Sequence, residues 1–114
     1  MKESSVLKAL TALAQQNRLR VFRKLVVAGH AGSTPTTIAR QMKLQPATLS
    51  FHLKELMNAG LVTQERSGRN LIYRADFGRT NDLLAYLSEN CCQGEVPATD
   101  GGGCQTPTSK ETKP

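Results

Sequence analysis

A mainly α-helical chain with a single β-hairpin is what this sequence predicts, on three observations. Apolar residues recur at helical spacing in five separate stretches. The period switches from 3.6 to 2 once, between Val62 and Ala75, with Gly68-Arg69 at the middle as a tight turn. Thr34-Pro35 and Gln45-Pro46 repeat the same helix-start signal eleven residues apart, which marks two short helices joined by a turn.

The elements follow in order. Val6, Leu10 and Leu13, with Leu7 and Ala14 beside them, give an amphipathic first helix from about Ser4 to Ala14, with Ser4 or Ser5 as its cap. A second helix runs from a cap at Asn17 to Ala28 and ends at Gly29. Leu19, Phe22, Leu25 and Val26 are expected inward, with Arg18, Arg20, Arg23 and Lys24 largely outward. The loop His30 to Ser33 leads to the helix opened by Thr34-Pro35, which reaches about Met42 through Ile38 and Ala39. The fourth helix starts at Gln45-Pro46 and is ended by Gly60. After the hairpin, Thr80 or Asn81 would cap a last helix whose stripe Leu83, Leu84, Leu87 continues to Cys91.

The fourth helix has a face that a core does not need. Leu49, Leu53 and Leu56 fall on one stripe with Met57 at its edge, while Ala47, Phe51 and Lys54 fall opposite, flanked by Thr48 and Ser50. Small residues, hydroxyls, an aromatic ring and a cation suit base edges and phosphates better than water alone. His52, beside the core stripe, reads as a helix-packing residue rather than a ligand.

Charge agrees with a polyanionic partner. The chain has 114 residues and a net charge of +6, and its first 94 residues hold 13 basic minus 6 acidic side chains, or +7. The expected organisation is a domain over residues 1–92 and a flexible C-terminal tail over 93–114, rich in Gly, Thr, Pro and Ser and carrying Cys104. A domain this small gains by dimerising. Nothing reads as an export signal or a membrane span, so the expected compartment is the cytoplasm.

Five helices with a hairpin after the fourth describe a winged helix-turn-helix. Asn17-Arg18-Leu19-Arg20 with Leu25, the run Leu49 to Leu56, Ala59-Gly60-Leu61-Val62, and Arg66-Ser67-Gly68-Arg69 leading to Tyr73 resemble the ArsR/SmtB family of metal-responsive repressors over about residues 5–92. That resemblance implies a homodimer joined through its first and last helices on a palindromic double-stranded DNA operator, with the fourth helix in a major groove and the wing on the backbone. Carried over residue by residue, it assigns DNA contact to Gln45, Ala47, Thr48, Ser50, Phe51 and Lys54, and to Arg66 and Arg69 on the wing. Thr34, Thr36 and Thr37 are candidates for phosphate contact, with capping or solvation as the alternative for each hydroxyl. Phe51 either meets a thymine methyl or leans on a neighbouring helix.

The inducer is a separate question, since members of the family place ligand sites at different positions. The best-known arsenite site, a Cys-x-Cys on the helix before the reading helix, is missing here, because Thr36 to Met42 contains no thiol. The zinc site of the last helix lacks its histidine, leaving Asp82 and Glu89. Cys91, Cys92 and Cys104 remain. Three thiolates without a fourth ligand suit a soft ion such as As(III), with Sb(III) or methylated As(III) as further options, and the chain looks like the arsenite-responsive subset with a vicinal pair at the end of the last helix. For the pair to bind one ion, the helix has to end near Asn90 and the backbone turn. Two other readings stay open: a thiol redox switch on the same fold, or a small thiol enzyme such as an arsenate reductase. The second needs an arginine six residues after Cys92 or Cys104 that the sequence does not have, so no catalytic cofactor or activity is expected.

Overall fold

The computed structural model describes residues 1–94. The tail from residue 95 onward, and with it Cys104, lies outside the described residues. Five α-helices occur in the order expected: α1 (Glu3–Leu13), α2 (Gln16–Ala28), α3 (Pro35–Met42), α4 (Pro46–Asn58) and α5 (Phe77–Ser88). A 3-10 turn at Gly29–Ala31 follows α2, and another at Cys91–Gly94 follows α5. The strands β1 (Val62–Ser67) and β2 (Asn70–Ala75) stand between α4 and α5. The chain divides into two compact units, Met1–Leu83 and a second that begins at Leu84.

In the first unit the core is built where apolar stripes meet. Val21, Phe22 and Leu25 of α2, Ile38 of α3, and Leu49, Leu53 and Leu56 of α4 are all buried, together with Leu61, Val62, Ala75 and Leu83. α1 contributes Val6, Ala9 and Ala12. Small side chains at three-residue spacing let α1 lie close against its neighbours, so its large residues take the other face: Leu7 is 57% exposed and Leu10 38%. The expected inward stripe Val6, Leu10, Leu13 is thus corrected, with Leu10 outside, Leu13 half-buried and Ala14 exposed. In α2, Val21 takes the inward place expected for Leu19, which is exposed.

Cap residues differ from expectation at three helices, and at two of them another acceptor lies one turn away. Neither Ser4 nor Ser5 caps α1; the N-cap is Lys2, without a side-chain bond. α2 starts one residue before Asn17, and the Gln15 side chain accepts from the Arg18 amide. α5 starts at Phe77 rather than near Thr80, because Asp76 Oδ1 accepts from the Arg79 amide at 2.9 Å. It also stops at Ser88, so Cys91 is not on its stripe.

The helix pair α3–α4 turns as its two start signals require. Thr34 Oγ1 accepts from the Thr37 amide, with Pro35 at the first helical position. At the other end Lys43 adopts a left-handed conformation (φ 57°), and the Leu44 amide returns to the Ala39 carbonyl at 3.0 Å, closing a Schellman turn. The hairpin pairs Val62 with Ala75 through Ser67 with Asn70. Gly68 has φ 62°, the positive value that the first residue of a type II′ turn needs. Ser33, a loop residue by sequence, exchanges two backbone bonds with Tyr73 at 2.9 and 2.8 Å. Beside it Gly32 (φ 69°) is required, since a Cβ there would stand 2.6 Å from the Tyr73 carbonyl oxygen. The wing is therefore fastened to the entry of α3.

Candidate nucleic-acid interface and cysteine pair

α4 presents the face its sequence promised. Leu49, Leu53 and Leu56 are buried while Ala47, Thr48, Ser50, Phe51 and Lys54 are exposed, as is Gln45 at the cap position. The Gln45 side chain makes no cap bond. Two prolines, Pro35 and Pro46, start the two helices without leaving a lost amide partner, because the first helical amides have none within the helix. On the helix before, Thr34 and Thr37 hydroxyls bond to one another at 2.9 Å, so Thr34 is engaged as a cap, and Thr36 is exposed.

On the wing Arg66 and Arg69 are exposed at and beside the turn. Arg74 is different: it donates to the His30 carbonyl at 2.6 Å and to Glu65 at 2.6 Å, tying both strands to the 3-10 turn after α2. With Glu65 consumed by that pair, Arg66 and Arg69 are left as the exposed cations of the wing tip among the described residues.

Behind this surface His52 packs inside as its sequence position suggests, but its pairing with Arg18 was not legible in the sequence. His52 is 5% exposed, with Nδ1 3.4 Å from Arg18 Nη1. Burial first, and then the Arg18 charge, push its proton affinity below the usual histidine value, which keeps the imidazole neutral. Arg18 itself, expected outward, turns inward and lies with its guanidinium carbon 5.8 Å from the centre of the Phe51 ring. Phe51 is 55% exposed, so it leans on α2 and still offers ring surface to a ligand.

The second unit holds Cys91 and Cys92. After Ser88 the chain leaves the helix: Asn90 (φ 59°) and Cys92 (φ 56°) are both left-handed, and Cys91–Gly94 form the 3-10 turn. On a continuous helix the two cysteines would point about 100° apart. Here their Sγ atoms are 3.6 Å apart. Sulfurs at that separation can share one ion with bonds of about 2.3 Å, as thiolates make to zinc, subtending roughly 100° at the ion. Cys91 is half-buried and Cys92 exposed. Among the described residues no group of three or more His, Cys, Asp or Glu side chains is gathered that could hold a metal ion. No described helix is long and apolar enough to cross a membrane.

Comparison with known proteins agrees with this geometry. Residues 13–65 match the model of a helix-turn-helix domain. The chain is 32% identical over 81 residues to the arsenical resistance operon repressor of Bacillus subtilis (strain 168), covering 71% of this chain and 73% of that protein. Among solved structures it is similar to an ArsR-like transcriptional regulator from Rhodococcus sp. RHA1, with a TM-score of 0.67 and 24% identity over 74% of this chain and 76% of that one. It is also similar to the homodimeric winged helix-turn-helix DNA-binding domain of a possible ArsR-family transcriptional regulator from Mycobacterium bovis, with a TM-score of 0.61 and 25% identity over 81% and 85% of the two chains.

Proposed function

Since the chain belongs to the ArsR/SmtB family of winged-helix transcriptional regulators, we propose that it is an arsenite-responsive repressor, acting as a homodimer on a palindromic operator. The observation that carries the inducer reading is the Cys91–Cys92 pair, brought to 3.6 Å by a left-handed break at Asn90 just after α5 ends. Similarity to a repressor of an arsenical resistance operon supports it. Cys104 supplies the third thiolate.

In this reading Ala47, Thr48, Ser50, Phe51 and Lys54, with Gln45 at the helix start, meet the major groove, and Arg66 and Arg69 meet the backbone. Thiolates are soft donors and select As(III) or Sb(III) over the hard cations. Binding ties the end of α5 to the tail. Leu84 and Leu87 on the same helix are 58% and 56% exposed, a surface that a second copy would cover. Reshaping the end of an interface helix shifts one protomer against the other, and two reading helices held about one DNA turn apart then lose their spacing. By linkage, DNA weakens ion binding by the factor that the ion weakens DNA, about 5- to 150-fold for a coupling of roughly 1–3 kcal/mol.

The test is an operator gel shift with As(III) added. The wild-type protein is expected to release DNA, and the variant with Cys91, Cys92 and Cys104 all changed to serine to bind and stay bound. Release of that variant by arsenite sinks the site. Release of the wild type by peroxide but not by arsenite, with loss of titratable thiols, replaces the reading with a redox switch.

A further inference from the structure

Between α1 and the reading helix stands one side chain that touches both. Arg18 Nε donates to the Ala12 carbonyl at 2.8 Å. That carbonyl belongs to the last turn of α1, where no amide of the helix remains to bond it, and a cation there also complements the helix dipole. From this anchor the guanidinium reaches α4 twice, with Nη1 3.4 Å from His52 Nδ1 and its carbon 5.8 Å from the Phe51 ring centre. The His52 and Phe51 rings are themselves 5.8 Å apart.

We infer that Arg18 is a positioning residue for DNA reading: it fixes the exposed Phe51 ring on α4 against an anchor at the end of α1. The inference rests on the proposed role of α4 as the reading helix. A ring that is 55% exposed would otherwise lose rotamer freedom only when it met DNA, and that cost would reduce affinity. Held beforehand by a planar cation, it is paid for in the fold. Lysine cannot substitute, because an ammonium is a point charge without the rigid fork that serves an oxygen, an imidazole nitrogen and a ring face together. His52 takes part as an acceptor. Nδ1 receives from the guanidinium when the ring proton is on Nε2, and the burial and positive neighbour already described keep the ring in that neutral form.

The consequence is a split between two kinds of binding. Contacts to phosphate are made by other cations and are indifferent to Phe51, whereas discrimination among base sequences depends on where the ring stands.

The experiment uses the full chain, a duplex selected by the wild-type protein from a random pool, and an unselected duplex at the same salt. Arg18→Lys keeps the charge and is expected to bind the unselected duplex as the wild type does while losing about 3- to 10-fold on the selected one. Phe51→Leu is expected to show the same loss, and the double variant no more than Phe51→Leu alone. Equal affinity of wild type and Arg18→Lys for the selected duplex overturns the inference, as do losses that multiply in the double variant. NMR of the unbound protein gives a readout without DNA: the Phe51 ring and His52 imidazole signals are expected to move in Arg18→Lys with the far-ultraviolet circular dichroism of the folded protein unchanged, and signals that stay in place overturn it. If Arg18→Lys does not fold, Arg18→Gln carries the same two readouts. Failure of the wild type to select any duplex falsifies the DNA-reading assignment itself, leaving the Arg18–Phe51 contact to be judged by the NMR readout.

Discussion

α1 and α4 are both amphipathic helices of the first unit, and they spend their apolar residues in opposite ways. α4 hides Leu49, Leu53 and Leu56 and shows Ala47, Thr48, Ser50 and Lys54 with one aromatic ring. α1 hides Val6, Ala9 and Ala12 and shows Leu7 and Leu10. What a helix leaves outside tells what it is for. Exposed leucines on a small domain call for another protein surface, and polar groups with a cation call for a polyanion. On the proposed reading α4 both stabilises the protomer and reads a ligand, while α1 gives a modest core contribution and keeps its larger side chains for assembly.

The contrast can be broken most forcefully from the buried side. Leu53→Ala on α4 should cost about 2–5 kcal/mol of stability in a denaturant melt, since it leaves a cavity in a packed core. Leu10→Ala on α1, the same chemical change, should cost well under half of that when the two are compared in one protomer. Similar losses for both would mean that α1 buries Leu10 within the chain after all.

A smaller effect separates assembly from folding. Leu7→Lys with Leu10→Lys is expected to weaken dimerisation by about 30-fold, equivalent to roughly 2 kcal/mol, when measured by sedimentation, with far-ultraviolet circular dichroism unchanged. A variant that stays as dimeric as the wild type removes α1 from the interface.

The smallest expected effect concerns the one polar residue on the buried stripe of α4. His52 has a folded-state proton affinity below that of the unfolded chain, so below the unfolded value of about 6.5 the unfolded state takes up protons that the folded state does not. Stability is therefore full above that pH and falls as the pH drops toward the folded-state value. Melting temperatures at pH 7.5 and 5.5 should differ in that direction, and His52→Gln should reduce the difference. An equal pH dependence in the variant would assign it to other groups.

Much of the reading surface was legible because it depends on local rules. Thr34-Pro35, Gln45-Pro46 and the period of Leu49, Leu53 and Leu56 place two helices and orient the second, and Gly68 between alternating residues places the wing turn. The end of the last helix was also legible: the sequence placed it near Asn90, and α5 ends at Ser88 with Asn90 left-handed.

Two pairs could not have been read from sequence spacing. Arg18 stands 34 positions from His52, and Ser33 stands 40 from Tyr73, and neither carries a local mark of its partner. The sequence by itself determined where each helix and strand begins to within a few residues, because caps, prolines and periodicity act over one turn of chain. Only the tertiary structure decided which face of α1 is buried and that an apparently outward arginine turns in against α4. Those choices turn on which surfaces are near enough to compete for a side chain, and that distance is set by the packing of all the helices together.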